Sequence, residues 1–286
     1  MQDPSTWDHR GVGGTLYLVG TPIGNLGDTT HRARETLAAA DLVAAEDTRR
    51  TGRLLAGLGV KATLVSFFEG NERERTPELL GRLREGASVA LVTDGGMPGV
   101  SDPGYRLVRA CVDDGIDVRV VPGPSAAIAA LVVSGLPTDR FSFEGFLPKK
   151  AGDRMRRLEE LARDRRTLVL FESPVRVQIL LRDALVALGD RRVAVARELT
   201  KLHEEVLRGR ISEVLASITG SPLKGEVVVV LEGAPETDAG DLAALLPEAR
   251  ELIAGGMKKR DAAHAVAERH GVGANDIYRA LVEDAG

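Results

Sequence analysis

Residues 93–104 read TDGGMPGVSDPG and follow the apolar run VALV at residues 89–92. Four of these twelve residues are glycine and two are proline. A strand that ends in so much glycine and proline predicts a rigid, shaped loop whose backbone can be approached closely. Because small molecules bind at the carboxyl ends of parallel strands in α/β proteins, this loop predicts one wall of a ligand site.

Strand and helix patterns alternate on both sides of this loop through the first half of the chain. Strand-like runs lie at residues 15–20, 42–45, 65–68, 88–93 and 117–121, and helical patterns lie at residues 29–40, 50–58, 77–85 and 105–114. Buried parallel strands are continuous apolar runs, and crossover helices cover both faces of their sheet. The first half therefore predicts an α/β domain with a mostly parallel sheet.

The second half begins after Pro-Gly-Pro-Ser at residues 122–125, which predicts a domain boundary. Strand-like runs lie at residues 140–147, 167–171, 192–197, 204–208 and 226–231, and helical patterns lie at residues 126–134 and 174–188. Such closely spaced strands predict a second sheet that is mixed or antiparallel.

The predicted domain organisation has five parts. They are a flexible tail at residues 1–14, an N-terminal α/β domain at 15–124, a C-terminal α/β domain at 125–234, a linker at 235–241 and a helical tail at 242–286. The tail has two short apolar helical faces around Gly271, a pattern that resembles a helix-turn-helix, although a small capping bundle fits it equally well.

Composition limits the class of protein. The chain has 286 residues and a single cysteine, Cys111, so no internal disulfide can form and a reducing cytoplasm is the expected location. It contains no run of about 20 apolar residues, so no membrane span is expected. The net charge of −4 argues against a wholly basic nucleic-acid coat, but residues 149–166 hold eight Lys or Arg against four Asp or Glu.

Five strand-end loops carry the candidate chemistry. They lie at residues 19–26, 46–49, 93–104, 123–126 and 171–174. The first loop lacks both GxGxxG and the Gly-Lys-Ser/Thr of a phosphate loop, which argues against a nicotinamide dehydrogenase. In the second loop, Glu46 and Asp47 beside Arg49 could supply a general base or hold a ribose. Alternatively, Asp47 caps the next helix and Arg49 pairs with a neighbouring acid.

Seven sequence blocks in order resemble the tetrapyrrole methylase superfamily. They are TPIGNLGD, AAEDTRRTG, TDGGMPGVSDPG, VPGPSAAIAAL, SGLPTDRFSFEGFLP, LFESPVRV and ARELTKLHEE, between residues 16 and 233. The SFEGFLP and EDTR blocks resemble more narrowly the ribosomal RNA branch, which methylates the 2′-hydroxyl of a cytidine in the small subunit. The other blocks alone do not separate an RNA enzyme from a precorrin methylase.

This resemblance implies S-adenosylmethionine as the methyl donor, bound in a cleft between two α/β domains, and a homodimer that acts on small-subunit ribosomal RNA or the assembled subunit. By position in the motifs, the implied cofactor-binding residues are Pro22, Thr93, Asp94, Gly95, Met97, Val100, Ser125, Ala126, Phe171, Leu199 and Gly225. No His/Cys cluster has the spacing of metal ligands, so no metal site is predicted.

Methyl transfer to a ribose requires in-line positioning, and a neutral hydroxyl needs a general base. We expect the catalytic residues to be Glu46, Asp47, Arg49 and Lys224. We expect RNA contacts from the basic segment and the tail, at Lys149, Lys150, Arg154, Arg157, Lys258, Lys259 and Arg260. The alternative for either region is a solvated helix face.

Gly70 is a departure from the family, because relatives often have a histidine at this position. A histidine base is therefore missing there, which favours a second possibility, a non-catalytic RNA-binding relative. The runner-up among enzymes is a precorrin-type methyltransferase, which the basic tail and the SFEGFLP block argue against.

Overall fold

The computed structural model describes residues 14–220, 223–235, 239–270, 272 and 274–283. Except for Gly14, the predicted tail at residues 1–14 lies outside this range, as do residues 236–238 of the predicted linker. Two five-stranded sheets and a C-terminal group of helices make up the described part of the chain.

The first sheet is entirely parallel, with strand order β3-β2-β4-β1-β5. Its strands are β1 (Thr15–Val19), β2 (Leu42–Ala45), β3 (Leu64–Ser66), β4 (Val89–Val92) and β5 (Asp117–Val121). All four residues of the central strand β4 are buried, because helices cover both faces of the sheet. The carboxyl ends of these strands therefore meet at one edge, where the polar loops lie.

Four helices connect the strands of the first sheet: α1 (His31–Ala39), α2 (Thr48–Leu58), α3 (Glu72–Arg84) and α4 (Tyr105–Asp113). The sequence placed the start of α3 at Pro77, where a proline commonly opens a helix. The structure begins α3 five residues earlier, at Glu72. The buried Glu72 carboxylate accepts hydrogen bonds from the amides of Gly104 (3.1 Å) and Arg106 (3.2 Å), which joins α3 to the start of α4.

The second sheet is mixed, as the strand spacing predicted, with order β6-β7-β10-β8-β9. Its strands are β6 (Phe141–Phe146), β7 (Thr167–Glu172), β8 (Arg192–Arg197), β9 (Glu205–Arg210) and β10 (Val227–Leu231). Strands β6 and β7 are parallel, and the other three pairs are antiparallel. Every residue of β10 is buried, so this strand is the centre of the second core.

Four helices belong to this half: α5 (Ala126–Ser134), α6 (Ala151–Leu161), α7 (Val177–Leu188) and α8 (Ile211–Ile218). Helix α5 packs with one face of the sheet, and α6, α7 and α8 pack with the other. The sequence did not predict α8, because this helix follows β9 without any turn residues between them. Ser125 is the residue before α5, as predicted, but its side chain makes no capping hydrogen bond.

Three helices end the chain: α9 (Ala239–Ala254), α10 (Lys259–His270) and α11 (Ala274–Glu283). They surround their own apolar cluster, which includes Ala249, Val266 and Ile277. Helix α9 begins inside the predicted linker. Arg165, at the end of the α6–β7 connection, forms an ion pair with Asp276 of α11 and joins these helices to the second sheet. Within the described residues, no helix is both long enough and apolar enough to cross a membrane.

Candidate active site

A cleft of about 700 Å³ lies between the carboxyl ends of the first sheet and the second sheet. The loops after β1, β2 and β4 line one side of it. The other side comes from the ends of β6, β7 and β8 and the start of β10, with Ala126 of α5 between the two. We call these two sides the first wall and the second wall. A volume in this range suits a ligand of cofactor size.

Close backbone contacts hold the first wall together. A Cβ atom on Gly20 would lie 2.6 Å from the Gly123 amide nitrogen and 2.6 Å from the Met97 sulfur. The Thr21 hydroxyl donates to the Thr93 carbonyl (3.1 Å), and Thr21 forms an isolated β-bridge with Gly96. Three strand-end loops are thereby locked together, and glycine is required where they approach most closely.

Strain and unpaired polar atoms concentrate around the cleft. Ser101, Glu198 and Thr200 have φ angles of 59°, 50° and 67°, a region that residues other than glycine rarely adopt. The Thr93 and Thr200 hydroxyls are buried and make no hydrogen bond of ordinary geometry with any described residue. Such features cost free energy and often cluster at ligand sites, and two of these residues, Thr93 and Ser101, line the cleft.

Three carboxylates approach one another at the first wall. Glu46 follows β2, and its Oε2 accepts a hydrogen bond from the amide of Asp94 (3.1 Å). Asp94 follows β4, and its Oδ2 pairs with Nη1 of Arg50 from α2 (3.1 Å). Asp102 lies farther along the same loop, with no ion pair to any described residue. Of the three, Asp102 is therefore the carboxylate left to act on a ligand.

Burial and the negative charge of Glu46 raise the pKa of Asp102. Burial raises the pKa of Asp102 to about 6, and the Glu46 carboxylate adds to the rise. The Thr93 hydroxyl lies near enough to oppose this rise in the Asp102 pKa, although it does not reach hydrogen-bonding geometry. Burial also raises the pKa of Glu46. A carboxylate whose pKa approaches neutrality is suited to general-base chemistry.

Asp47 and Arg49 pair with each other at the start of α2 and do not line the cleft, so their catalytic role stays a prediction. Asp47 Oδ1 caps α2 by accepting from the amides of Arg49 (2.8 Å) and Arg50 (3.3 Å), and its Oδ2 pairs with Arg49 Nη2 (2.9 Å). The bonds to Arg49 and the helix amides hold the Asp47 pKa well below its usual range, which makes it a poor base. The capping alternative that the sequence left open is therefore the observed one.

The second wall is mostly apolar and aromatic. Phe146, Phe171 and Leu199 line it. Lys201 closes one end: a Cβ on Gly24 of the first wall would lie 2.5 Å from the Lys201 side chain. The Lys201 ammonium pairs with Glu198 (2.9 Å) and Glu226 (3.1 Å). The methylene groups of Lys201 thus span the cleft at this end, and the ion pairs of its ammonium group hold them in place.

The structure brings most of the predicted cofactor residues to the cleft. Those that line it are Pro22, Thr93, Asp94, Gly95, Ala126, Phe171, Leu199 and Gly225. Met97, Val100 and Ser125 do not line it, and Met97 instead packs against Gly20 behind the wall. Of the four predicted catalytic residues, Glu46 lines the cleft, whereas Asp47, Arg49 and Lys224 do not. Lys224 is exposed beside Gly225, and its role stays a prediction.

The predicted RNA-binding residues differ in their exposure. Lys149 and Lys150 are exposed immediately before α6, and Lys258, Lys259 and Arg260 are exposed around the start of α10. Arg157 is engaged by Glu144 and Glu160. The prediction for Arg154 is wrong, because its guanidinium is buried, pairs with Asp183 (2.7 Å) and donates to the Lys149 carbonyl (3.0 Å). Arg154 supports the start of α6 and is not available to a ligand.

Two features of the site escaped the sequence argument. In the sequence, Asp102 is one of the twelve residues of the glycine-rich loop, and Phe146 is one residue of the SFEGFLP block. The strand-end position of Asp102 was a usable signal, but its lack of a cationic partner was not visible in the sequence. Among the described residues, no group of three or more His, Cys, Asp or Glu is arranged to hold a metal ion.

A protein-family model described as Tetrapyrrole (Corrin/Porphyrin) Methylases matches residues 15–215, which include both sheets except β10. The chain belongs to the tetrapyrrole methylase family. The fold class and the family predicted from the sequence blocks are both confirmed. In this methylase, the matched region ends before the three C-terminal helices begin.

Several similar proteins carry the name Ribosomal RNA small subunit methyltransferase I. The one from Synechocystis sp. is 45% identical over 273 residues, which is 94% of this chain and 98% of that protein. The one from Thermotoga maritima is 51% identical over 220 residues, which is 77% of this chain and 99% of that protein. The match to the first of these methylases therefore extends into the C-terminal helices.

Solved structures of similar fold include two of uroporphyrin-III C-methyltransferase from Thermus thermophilus. One is 27% identical, with a TM-score of 0.56, and covers 76% of this methylase and 94% of that chain. The other, complexed with S-adenyl homocysteine, is 25% identical, with a TM-score of 0.54, and covers 77% and 97% of the two chains.

Proposed function

We propose that this protein is an S-adenosylmethionine-dependent methyltransferase that methylates the ribose 2′-hydroxyl of a cytidine in small-subunit ribosomal RNA. The observation that carries this proposal is the near full-length similarity to proteins named Ribosomal RNA small subunit methyltransferase I. The cleft described above provides the site, and the carboxylates of its first wall provide the acid–base groups.

The cleft fits the methyl donor in size and in chemistry. Its polar residues include Thr93, whose buried hydroxyl lacks a partner of ordinary geometry among the described residues. A Cβ on Gly95 would lie 3.3 Å from the Pro22 carbonyl, so these two cleft-lining backbone segments approach each other closely. These groups and the apolar Leu199 would hold the nucleoside part. S-adenosylmethionine, when bound, supplies a methyl group that its sulfonium already activates.

The chain's own residues supply orientation and proton acceptance. A ribose hydroxyl becomes a stronger nucleophile as it loses its proton, and a carboxylate at hydrogen-bond reach can take that proton. Asp102 is the first candidate, because the other two carboxylates already have partners. Glu46 accepts a hydrogen bond from the Asp94 amide, and the Asp94 carboxylate pairs with Arg50. Glu46 keeps Asp102 basic through its negative charge. Arg50 holds Asp94 in place and maintains this arrangement.

A precorrin-type substrate is the second candidate, and the fold similarity to uroporphyrin-III C-methyltransferase favours it. The identity to the uroporphyrin-III C-methyltransferases is 24–27%, against 42–51% to the ribosomal RNA group. The exposed Lys149, Lys150 and Lys258 would suit either polyanion, RNA or a polycarboxylate tetrapyrrole, so the sequence identity is the observation that separates the two candidates. A non-catalytic role is disfavoured by the near full-length similarity to proteins that are named methyltransferases.

We also propose a homodimer that works in the cytoplasm, where ribosomal subunits are found. Val112, Val120, Ile128 and Val132 are large apolar side chains that are between 45% and 63% exposed. They come from α4, the edge strand β5 and α5, which are consecutive in the chain. A second copy would cover such side chains. Light scattering of the purified protein should give the mass of two chains.

The test uses small ribosomal subunits from cells that lack the protein. Incubation with S-adenosylmethionine, followed by mass mapping of the RNA, should locate one new methyl group on a cytidine ribose. A parallel incubation with precorrin should give no product. Transfer to precorrin alone would reject the RNA assignment, and no transfer to either substrate together with no cofactor binding would reject the enzyme.

A further inference from the structure

An irregularity in β6 sets the direction of Phe146. The register with β7 pairs Phe143 with Val169 and then Gly145 with Leu170, so Glu144 is an extra residue. Successive residues of a regular strand point to opposite faces, and one extra residue reverses the face of all that follow. Phe146 therefore pairs with Phe171 and points to the same face as Phe143, toward the cleft.

Gly145 makes this bulge possible. Its φ angle is +60°, a conformation that glycine adopts without cost. A Cβ on Gly145 would also lie 3.1 Å from the Ser101 hydroxyl oxygen of the first wall. Bulges near active sites commonly direct a side chain toward the ligand. Here the bulge brings an aromatic ring to the edge of the cleft.

Three rings brace one another at this position. Phe171 lies edge-on to Phe143 with ring centroids 4.9 Å apart, and edge-on to Phe146 with centroids 5.6 Å apart. The chain has only six phenylalanines, so half of them lie in this group. Edge-to-face packing of this kind fixes ring orientation. Phe146 nevertheless stays 59% exposed, so most of its ring surface is accessible to a ligand.

We propose that Phe146 is a stacking platform for the nucleobase of the nucleotide that is methylated, an inference that rests on the proposed function. The ring lies at the rim, where a ligand arrives from outside, whereas a cofactor of this cleft would be mostly enclosed. RNA-binding proteins stack splayed bases on exposed aromatic rings. Lys149 and Lys150 follow three and four residues later, are exposed and form no ion pair within the described part of the chain. They suit the flanking phosphates.

The experiment compares Phe146→Ala with Phe146→Leu, Phe146→Tyr and Phe146→Trp. Phe141→Ala is the matched control, because Phe141 begins the same strand, is 37% exposed and does not line the cleft. The measurements are kcat/KM for the small subunit, the Kd for S-adenosylmethionine and the melting temperature. We expect Phe146→Ala to lower kcat/KM for RNA by about 5- to 150-fold, the range for loss of one base stack.

Cofactor affinity should stay at the wild-type value in this variant, and the melting temperature should fall only slightly, because one edge-to-face contact with Phe171 is lost. Tyr and Trp should restore most of the RNA activity, whereas Leu should not, because it has no flat face. Wild-type RNA kinetics for Phe146→Ala would overturn the platform and leave the proposed function intact. A loss of cofactor affinity without a change in the KM for RNA would also overturn the platform, because it would mean that the Phe146 ring contacts the cofactor. A wild-type protein that methylates no RNA would overturn both proposals.

Discussion

The two walls of the cleft are built in opposite ways. The first wall consists of loops after parallel strands, held by backbone contacts such as that between Gly20 and Gly123, and it presents carboxylates. The second wall consists of a mixed sheet, held by side-chain packing, and it presents Phe146, Phe171 and Leu199. We therefore propose proton chemistry for the first wall and recognition by shape and stacking for the second.

This division of tasks has a kinetic consequence. A group that acts only as the bond forms changes kcat, whereas a group that holds substrate equally before and during the reaction changes KM. Substitutions in the first wall should therefore alter kcat and its pH dependence. Substitutions in the second wall should alter KM for RNA. A first-wall variant that changes only KM, or a second-wall variant that changes only kcat, would contradict this division of tasks.

The largest effect is expected for Asp102→Asn. Loss of a general base lowers the rate by about 10²- to 10⁴-fold, and single-turnover methylation at pH 8 measures it directly. A base must be deprotonated to act. The wild-type rate should therefore rise with pH, be half-maximal near pH 6, where the pKa of Asp102 lies, and level off above it. The residual rate of the Asn variant should lack this dependence.

Glu46→Gln is the matched control for Asp102. The negative charge of Glu46 helps to raise the pKa of Asp102, and the amide oxygen of glutamine can still accept from the Asp94 amide. The rate of this variant should therefore remain substantial, and its half-maximal point should move to lower pH. A rate that collapses in Glu46→Gln but persists in Asp102→Asn would exchange the roles of the two carboxylates.

The second effect concerns the rigidity of the first wall. In Gly20→Ala, the new methyl group must displace the Gly123 backbone, so we expect a loss of about 1–3 kcal/mol in the free energy of unfolding and weaker cofactor binding. Urea unfolding and a cofactor titration measure the two quantities. Gly81→Ala in α3 is the control, because its Cβ meets no atom within 4 Å and alanine favours a helix. Equal stability changes in both variants would show that the close approach is unimportant.

The sequence predicted the fold better than the second wall. Buried parallel strands are apolar runs that end in polar loops. The first sheet and the position of its loops therefore followed from the pattern of apolar and polar residues along the sequence. The direction of Phe146 did not, because the alternation of a strand cannot show where one extra residue enters. At the first wall, Asp47 fitted both a base and a helix cap. Only its hydrogen bonds to the α2 amides distinguish the two.

The third effect tests whether substrate RNA passes the second wall. Lys149 and Lys150 follow Phe146 closely, and each phosphate contact adds to the salt dependence of binding. Lys149→Ala with Lys150→Ala should weaken RNA binding several-fold and lower the slope of log K against log salt by about 1–2. Lys258→Ala with Lys259→Ala is the comparison in the C-terminal helices. If only the Lys258 and Lys259 substitutions change the slope, RNA contacts the C-terminal helices and not the surface beside the second wall.

The smallest effect is expected at Asp47, which lies next to the first wall without lining it. Asp47→Ala removes the cap of α2 and the partner of Arg49, so the melting temperature should fall slightly while single-turnover methylation stays at the wild-type rate. Asp47→Asn keeps a capping oxygen, so its melting temperature should fall less than that of Asp47→Ala.

The pH dependence of this small loss identifies its cause. The folded protein holds the pKa of Asp47 below its usual value, so the charge stabilises the fold above about pH 4 and ceases to do so only in stronger acid. The difference in melting temperature between wild type and Asp47→Ala should therefore be constant from pH 7 to pH 5. A fall in methylation rate that exceeds the loss of folded protein would return Asp47 to the catalytic group and extend the chemistry of the first wall beyond the cleft lining.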